Sequence, residues 1–142
     1  MDYRFAEGTL AWPAAWRDFQ DQTINVFQLG TLPPLNLVIN RDTVPDGESP
    51  SAYLQAQRQS FATELSGFKP LTEHPLRNPA FAVPALEYAW DSPQGRMYQL
   101  NALSLSGRRL LSFTFTSPTA LSAAVRQHCL ALLDSYTPAN AA

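Results

Sequence analysis

Two neighbouring stretches, Gln22 to Gln28 and Leu35 to Arg41, carry β-strand patterns with apolar residues on both faces, yet the chain offers only two helical segments to cover a sheet. Side chains of an extended strand alternate sides. Ile24 and Val26 therefore oppose Thr23, Asn25 and Phe27, while Leu35, Leu37 and Ile39 oppose Asn36, Val38 and Asn40. If one face is used for a core, the other still carries apolar side chains that need a partner.

Composition points the same way. Of 142 residues, 45% are hydrophobic and only 15% are charged, against roughly 25% charged in ordinary soluble domains, so the surface is unusually short of charge. The length suits one domain, expected over 1–136, with the small polar stretch 137–142 frayed. A formal charge of -2 with no Lys/Arg run gives no footprint for nucleic acid or lipid headgroups. The opening Met1-Asp2-Tyr3-Arg4-Phe5 lacks the apolar run of a signal peptide, and no stretch approaches the ~18 apolar residues of a membrane span. A cytoplasmic location without stable membrane insertion is expected. The single Cys129 agrees with a reducing compartment, and its neighbours Leu130, Leu132 and Leu133 assign it to packing.

Twelve prolines punctuate the chain. Short strands are predicted at Tyr3 to Phe5 and Thr9 to Trp12, with a turn at Gly30 to Pro34 between the two strands named first. Asp42 to Pro50 reads as a loop ending in Ser49-Pro50, an N-cap followed by proline at the first helical position. A helix follows to about Ser66, stopped by Gly67, with Leu54, Phe61, Leu65 and Phe68 on one face and Gln57 at its edge. Strands over Ala82 to Trp90, Arg96 to Leu105 and Arg109 to Thr116 are joined by links short enough for antiparallel hairpins. Ser117-Pro118 repeats the cap signature and opens a second, more apolar helix to about Tyr136. Strands, helix, strands, helix in that order predict an α+β fold, an antiparallel sheet packed with two helices.

Motifs for catalysis are absent: no phosphate-cradling glycine loop, dinucleotide fingerprint, nucleophile elbow or zinc-protease pair occurs. No enzyme activity and no cofactor are expected. His74, in a loop before Pro75, and His128, in the second helix, read as structural, since a metal site needs more ligands at recognisable spacing. Asp42, Asp46 and Glu48 form an acidic loop whose spacing does not fit calcium, and Asp18 with Asp21 reads as a turn. What remains is an oily strand face beside a helix bearing glutamines, the composition of a recognition groove. By periodicity alone Ile24, Val26, Val38, Phe61 and Leu65 read rather as the interior of a monomer.

Tyr3, Glu7-Gly8-Thr9, Pro13, Trp16, Asp21, Asn25-Val26-Phe27, Leu37-Val38-Ile39 ending in Arg41-Asp42, Gln57, Leu86-Glu87-Tyr88-Ala89-Trp90, and Leu111 to Ser117 together resemble the DcrB-like Eag chaperones of bacterial type VI secretion. The individual motifs are short, and their order and spacing extend from Tyr3 to about Tyr136. The resemblance implies a DcrB/PsbP-like fold and a cup-shaped homodimer. Such an adaptor holds the N-terminal transmembrane helices of a toxin, a PAAR- or Rhs-type effector, and helps load it on the secretion spike. Carried onto this sequence, the groove would be Ile24, Val26, Val38, Gln57, Phe61, Leu65, Met97 and Asn101; leucine and glutamine are more typical at the last two positions. A carrier of a small hydrophobic ligand or lipid in the same groove is the alternative.

Overall fold

The computed structural model describes residues 2–5, 8–11, 17–20, 24–29, 35–81 and 83–138, and up to residue 29 the backbone alone. In chain order the elements are β1 (Asp2–Phe5), β2 (Gly8–Ala11), β3 (Arg17–Gln20), β4 (Ile24–Leu29), β5 (Leu35–Thr43), α1 (Pro50–Glu64), β6 (Lys69–His74), β7 (Ala85–Ser92), β8 (Gly95–Ser106), β9 (Arg109–Ser117), α2 (Ala123–Asp134) and β10 (Thr137–Pro138). The antiparallel α+β architecture with two helices is the one expected. Among the described residues β3-β4-β5-β9-β8-β7-β6 form one sheet and β1-β2-β10 a second, with every pairing antiparallel.

One face of the large sheet holds the main core. Leu35, Leu37 and Ile39 of β5, Leu100 and Ala102 of β8, and Leu111, Phe113 and Phe115 of β9 pack with Cys129, Leu132 and Leu133 of α2. Phe81 and Tyr136 close this layer, their rings 5.4 and 5.2 Å from that of Phe113. Helix α2 is the natural cover because its apolar stripe is broad, and Cys129 is so enclosed that burial pushes its thiol up to about 12.

On the same side of the sheet, Glu87 is 3% exposed. Its carboxylate accepts from Arg126 Nε at 2.6 Å and Nη2 at 3.0 Å, and pairs with His74 Nε2 at 2.9 Å. Asn78 ties down the far end of α2, its side-chain amide donating to the carbonyls of Leu133 and Tyr136.

Several details depart from the sequence expectations. The second helix starts at Ala123 behind the cap Ser122, whose hydroxyl accepts from the Val125 amide. Ser117 instead ends β9; it is 2% exposed, and its hydroxyl accepts from the Thr119 amide. Asp18, read as part of a turn, lies in β3 opposite Phe27. His74 ends a strand, β6, where a loop was expected, and Thr137–Pro138 pairs with β2 where fraying was expected. The first helix ends at Glu64, two residues short of Ser66, with Gly67 in the left-handed region at φ 62°. Trp12, Asp21, the turn at Gly30 to Pro34, Ala82 and residues 139–142 lie outside the described residues.

Gly67 is held between two constraints. A Cβ there would run into the Asp91 carboxylate, which is fixed by Arg96 at 2.9 Å while the same guanidinium donates to the Gly67 carbonyl at 3.1 Å. Gly67→Ala is expected to cost about 1–2 kcal/mol in urea unfolding, from the positive φ plus displacement of Asp91. A variant as stable as the parent contradicts this account.

Candidate functional site

Helix α1 lies on the other face of the sheet and touches it through few residues. Pro50 supplies a preset φ at its start, and the Ser49 hydroxyl accepts from the Ala52 amide at 3.4 Å. Leu54 is its one buried side chain and packs on Leu103 and Leu110. Near its other end Phe61 stacks 5.2 Å from the Tyr88 ring, and Phe68 closes on the same ring at 5.4 Å. Arg58 pins the helix sideways, donating to the Pro84 carbonyl at 2.7 Å and to Glu73 at 2.8 Å.

A hollow of about 530 Å³ lies between α1 and the sheet. Gln57, Phe61 and Leu65 form its helix wall, and its floor comes from alternate residues of β5, β7, β8 and β9, with Arg41 of β5 also in the lining. The register lays that floor out in rows across the strands. Val26 faces Val38, which pairs with Thr114, which pairs with Asn101. A second row runs Asn36, Thr116, Gln99 and Tyr88, and a third Asn40, Ser112 and Leu103. The core and the hollow thus occupy opposite faces, which settles a question that strand periodicity left open.

Of the residues proposed from sequence, Val38, Gln57, Phe61, Leu65 and Asn101 come together around this one hollow. Met97 does not line it. It pairs with Trp90, two residues or about 7 Å beyond Gln99 along β8. Ile24 and Val26 lie in β4 opposite Asn40 and Val38; their side chains fall outside the described residues.

Sequence reasoning named Asn101 but missed the rest of the polar floor. Asn101 is buried and donates through Nδ2 to Ser112 Oγ at 2.9 Å and Thr114 Oγ1 at 3.0 Å. Trp90 Nε1 donates to Gln99 Oε1 at 2.9 Å, and Gln99 Nε2 donates to Thr116 Oγ1 at 3.0 Å. A signal for this existed in β9, where Leu110, Ser112, Thr114 and Thr116 alternate strictly with Leu111, Phe113 and Phe115. At the rim the Tyr53 hydroxyl donates to Asp42 Oδ2 at 2.5 Å, a bond that raises the tyrosine pKa. The site offers shape, apolar contact, amides and hydroxyls, with Arg41 and Asp42 as the charged members of its lining, the equipment for binding.

A family model described as DcrB matches residues 7–135. The protein of unknown function PA94 from Pseudomonas aeruginosa, described as a regulator candidate, is 25% identical with a TM-score of 0.59, over 90% of this chain and 86% of its own. Cyanobacterial PsbP from Synechocystis sp. PCC 6803 shares 10% identity and a TM-score of 0.66, over 97% of this chain and 91% of its own. LpqN from Mycobacterium tuberculosis, described as involved in cell envelope biogenesis, shares 15% identity and a TM-score of 0.54, over 89% of this chain and 75% of its own. The last two likenesses bear on fold alone. No match was found among curated proteins. Among the described residues no helix is long and apolar enough to cross a membrane.

Proposed function

The chain belongs to the DcrB family, and on that premise we propose that it is a cytoplasmic, non-enzymatic chaperone of type VI secretion that shields the N-terminal transmembrane helices of a PAAR- or Rhs-type effector and helps load it on the secretion spike. The observation that carries this reading is the hollow itself, apolar with amides and hydroxyls in its floor, on the sheet face that the main core does not use. A transmembrane helix left bare in water exposes apolar surface worth roughly 25 cal/mol per Å², so a carrier must cover it. The amides and hydroxyls among the aliphatics let the carrier hold such a helix as another helix would in a bilayer, and still release it.

Size argues for a pair of subunits. A spanning helix ~30 Å long and ~10 Å wide occupies roughly 2,400 Å³. One hollow of about 530 Å³ takes in roughly a fifth of that, so two copies facing one another serve the cargo better than one. The groove would be completed by Ile24 and Val26 from β4, with Met97 at its outer end.

A second reading rests on that same volume. The hollow lies within the ~300–1,000 Å³ of small-molecule sites, which suits a carrier of a small hydrophobic ligand or lipid. Co-expression with an effector's N-terminal hydrophobic region separates the two. A chaperone is expected to keep that region dissolved in a stable complex and to purify empty when alone. A protein that retains a small molecule on gentle purification, and leaves the hydrophobic region to aggregate, is the carrier instead.

A further inference from the structure

We infer that the β9 hydroxyl row in the floor of the hollow is polarised, offering hydrogen-bond donors, and selects a membrane-spanning segment that presents an uncommitted backbone carbonyl, as a proline-kinked helix does. The inference rests on the chaperone reading above and specifies what its cargo must carry.

The polarity is set by Trp90. An indole nitrogen only donates, so its 2.9 Å contact fixes Gln99 with Oε1 as acceptor. Gln99 must then turn its amide nitrogen toward Thr116, and the Thr116 hydroxyl accepts at 3.0 Å. The Thr116 proton and the second amide proton of Gln99 stay unspent. One row along, Asn101 donates through Nδ2 to Ser112 and Thr114, whose own hydroxyl protons are likewise left over, while its Oδ1 remains as an acceptor at the edge of the row. Ser112, Thr114 and Thr116 project from alternate positions of β9 and are half-buried in the hollow, a row of about 13 Å that matches roughly two and a half turns of helix.

Water satisfies these protons while the hollow is open. A seated apolar segment expels that water, and a buried donor without an acceptor is tolerated less than a spare lone pair. A regular apolar helix has little to give, because its carbonyls are committed to its own amides. Proline at one position frees the carbonyl four residues earlier, and neighbours inside a membrane normally satisfy such groups. The β9 hydroxyl row supplies the same service outside one.

The test uses the full chain and two fluorescent Leu/Ala model transmembrane peptides in mild detergent, alike except for a central proline in one. The wild type is expected to prefer the proline peptide. Thr116→Val, which keeps the β-branched shape and removes the hydroxyl, is expected to weaken the proline peptide about fivefold and the regular peptide less than about twofold. Trp90→Phe releases Gln99 from its fixed orientation and is expected to shrink the preference between the peptides. If the wild type binds both peptides equally, or Thr116→Val weakens both alike, the polarity inference is overturned while the chaperone reading stands. If the wild type binds neither, the chaperone reading goes and takes this one with it.

Discussion

Replacing Arg126 with alanine is expected to destabilise the fold by about 3–5 kcal/mol near neutral pH, the range found when one partner of a buried ion pair is removed. Glu87, 3% exposed with Arg126 in place, would be left with only His74 beside it. Burial pushes the Glu87 carboxyl up, but the hydrogen bonds and charges of Arg126 and His74 outweigh it and hold the group below its ordinary range. A carboxyl depressed in the folded state stabilises above its unfolded pKa, about 4.3 for glutamate, and that contribution is lost as pH falls through the folded value. The parent should keep this contribution down to about pH 4. In the variant burial dominates, the folded pKa moves above the unfolded one, and the sign reverses: its deficit should narrow as pH is lowered from neutral. Urea unfolding of both proteins near pH 7.5 and near pH 4.5 reads both effects. A deficit below about 1 kcal/mol, the scale of an exposed pair, or one that does not change with pH, removes Glu87 from the account of stability.

That network also marks a limit of the sequence. Nothing near His74 or Arg126 announces that they meet on Glu87, because the three come from β6, α2 and β7 and are joined only when the sheet closes. Strands β7 to β9 were legible, since apolar residues recur at every second position and the links between them are hairpin-short. Strand β6 was not: Lys69 to Glu73 are all exposed, Pro70 interrupts the pattern, and the register shifts between Pro70 and Thr72. Those features suit an edge strand that must discourage further pairing. Ser117-Pro118 imitated the cap of a helix because serine before proline suits a turn as well as a first helical position, and only tertiary context chooses. The groove was half legible. Val38, Gln57, Phe61, Leu65 and Asn101 lie around one hollow, but with Val38 set among the asparagines of the second β5 face, strand spacing alone does not reveal which face each helix covers. The decision comes from α2, whose Cys129, Leu132 and Leu133 claim the face of Leu37 and Ile39.

Because the two faces do different work, substitutions on them are expected to separate binding from stability. Val38→Asp should weaken an apolar helical peptide more than about 100-fold and leave a folded protein. Val38 is half-buried beside the open hollow, so an aspartate there keeps water in the free state. Seating an apolar segment strips that water from an unpaired carboxylate at a cost of several kcal/mol, and about 2.7 kcal/mol already corresponds to 100-fold. Leu65→Glu on the helix wall should act in the same direction. Phe113 on the opposite face is fully enclosed, with Phe81 and Tyr136 against its ring. Phe113→Ala is expected to cost about 3–5 kcal/mol while each molecule that remains folded binds the peptide as the parent does. Urea unfolding together with fluorescence binding to the same peptide measures both columns of this comparison. If Val38→Asp unfolds the protein and Phe113→Ala instead spares stability and abolishes binding, core and groove have exchanged faces, and the proposed carrier loses its site.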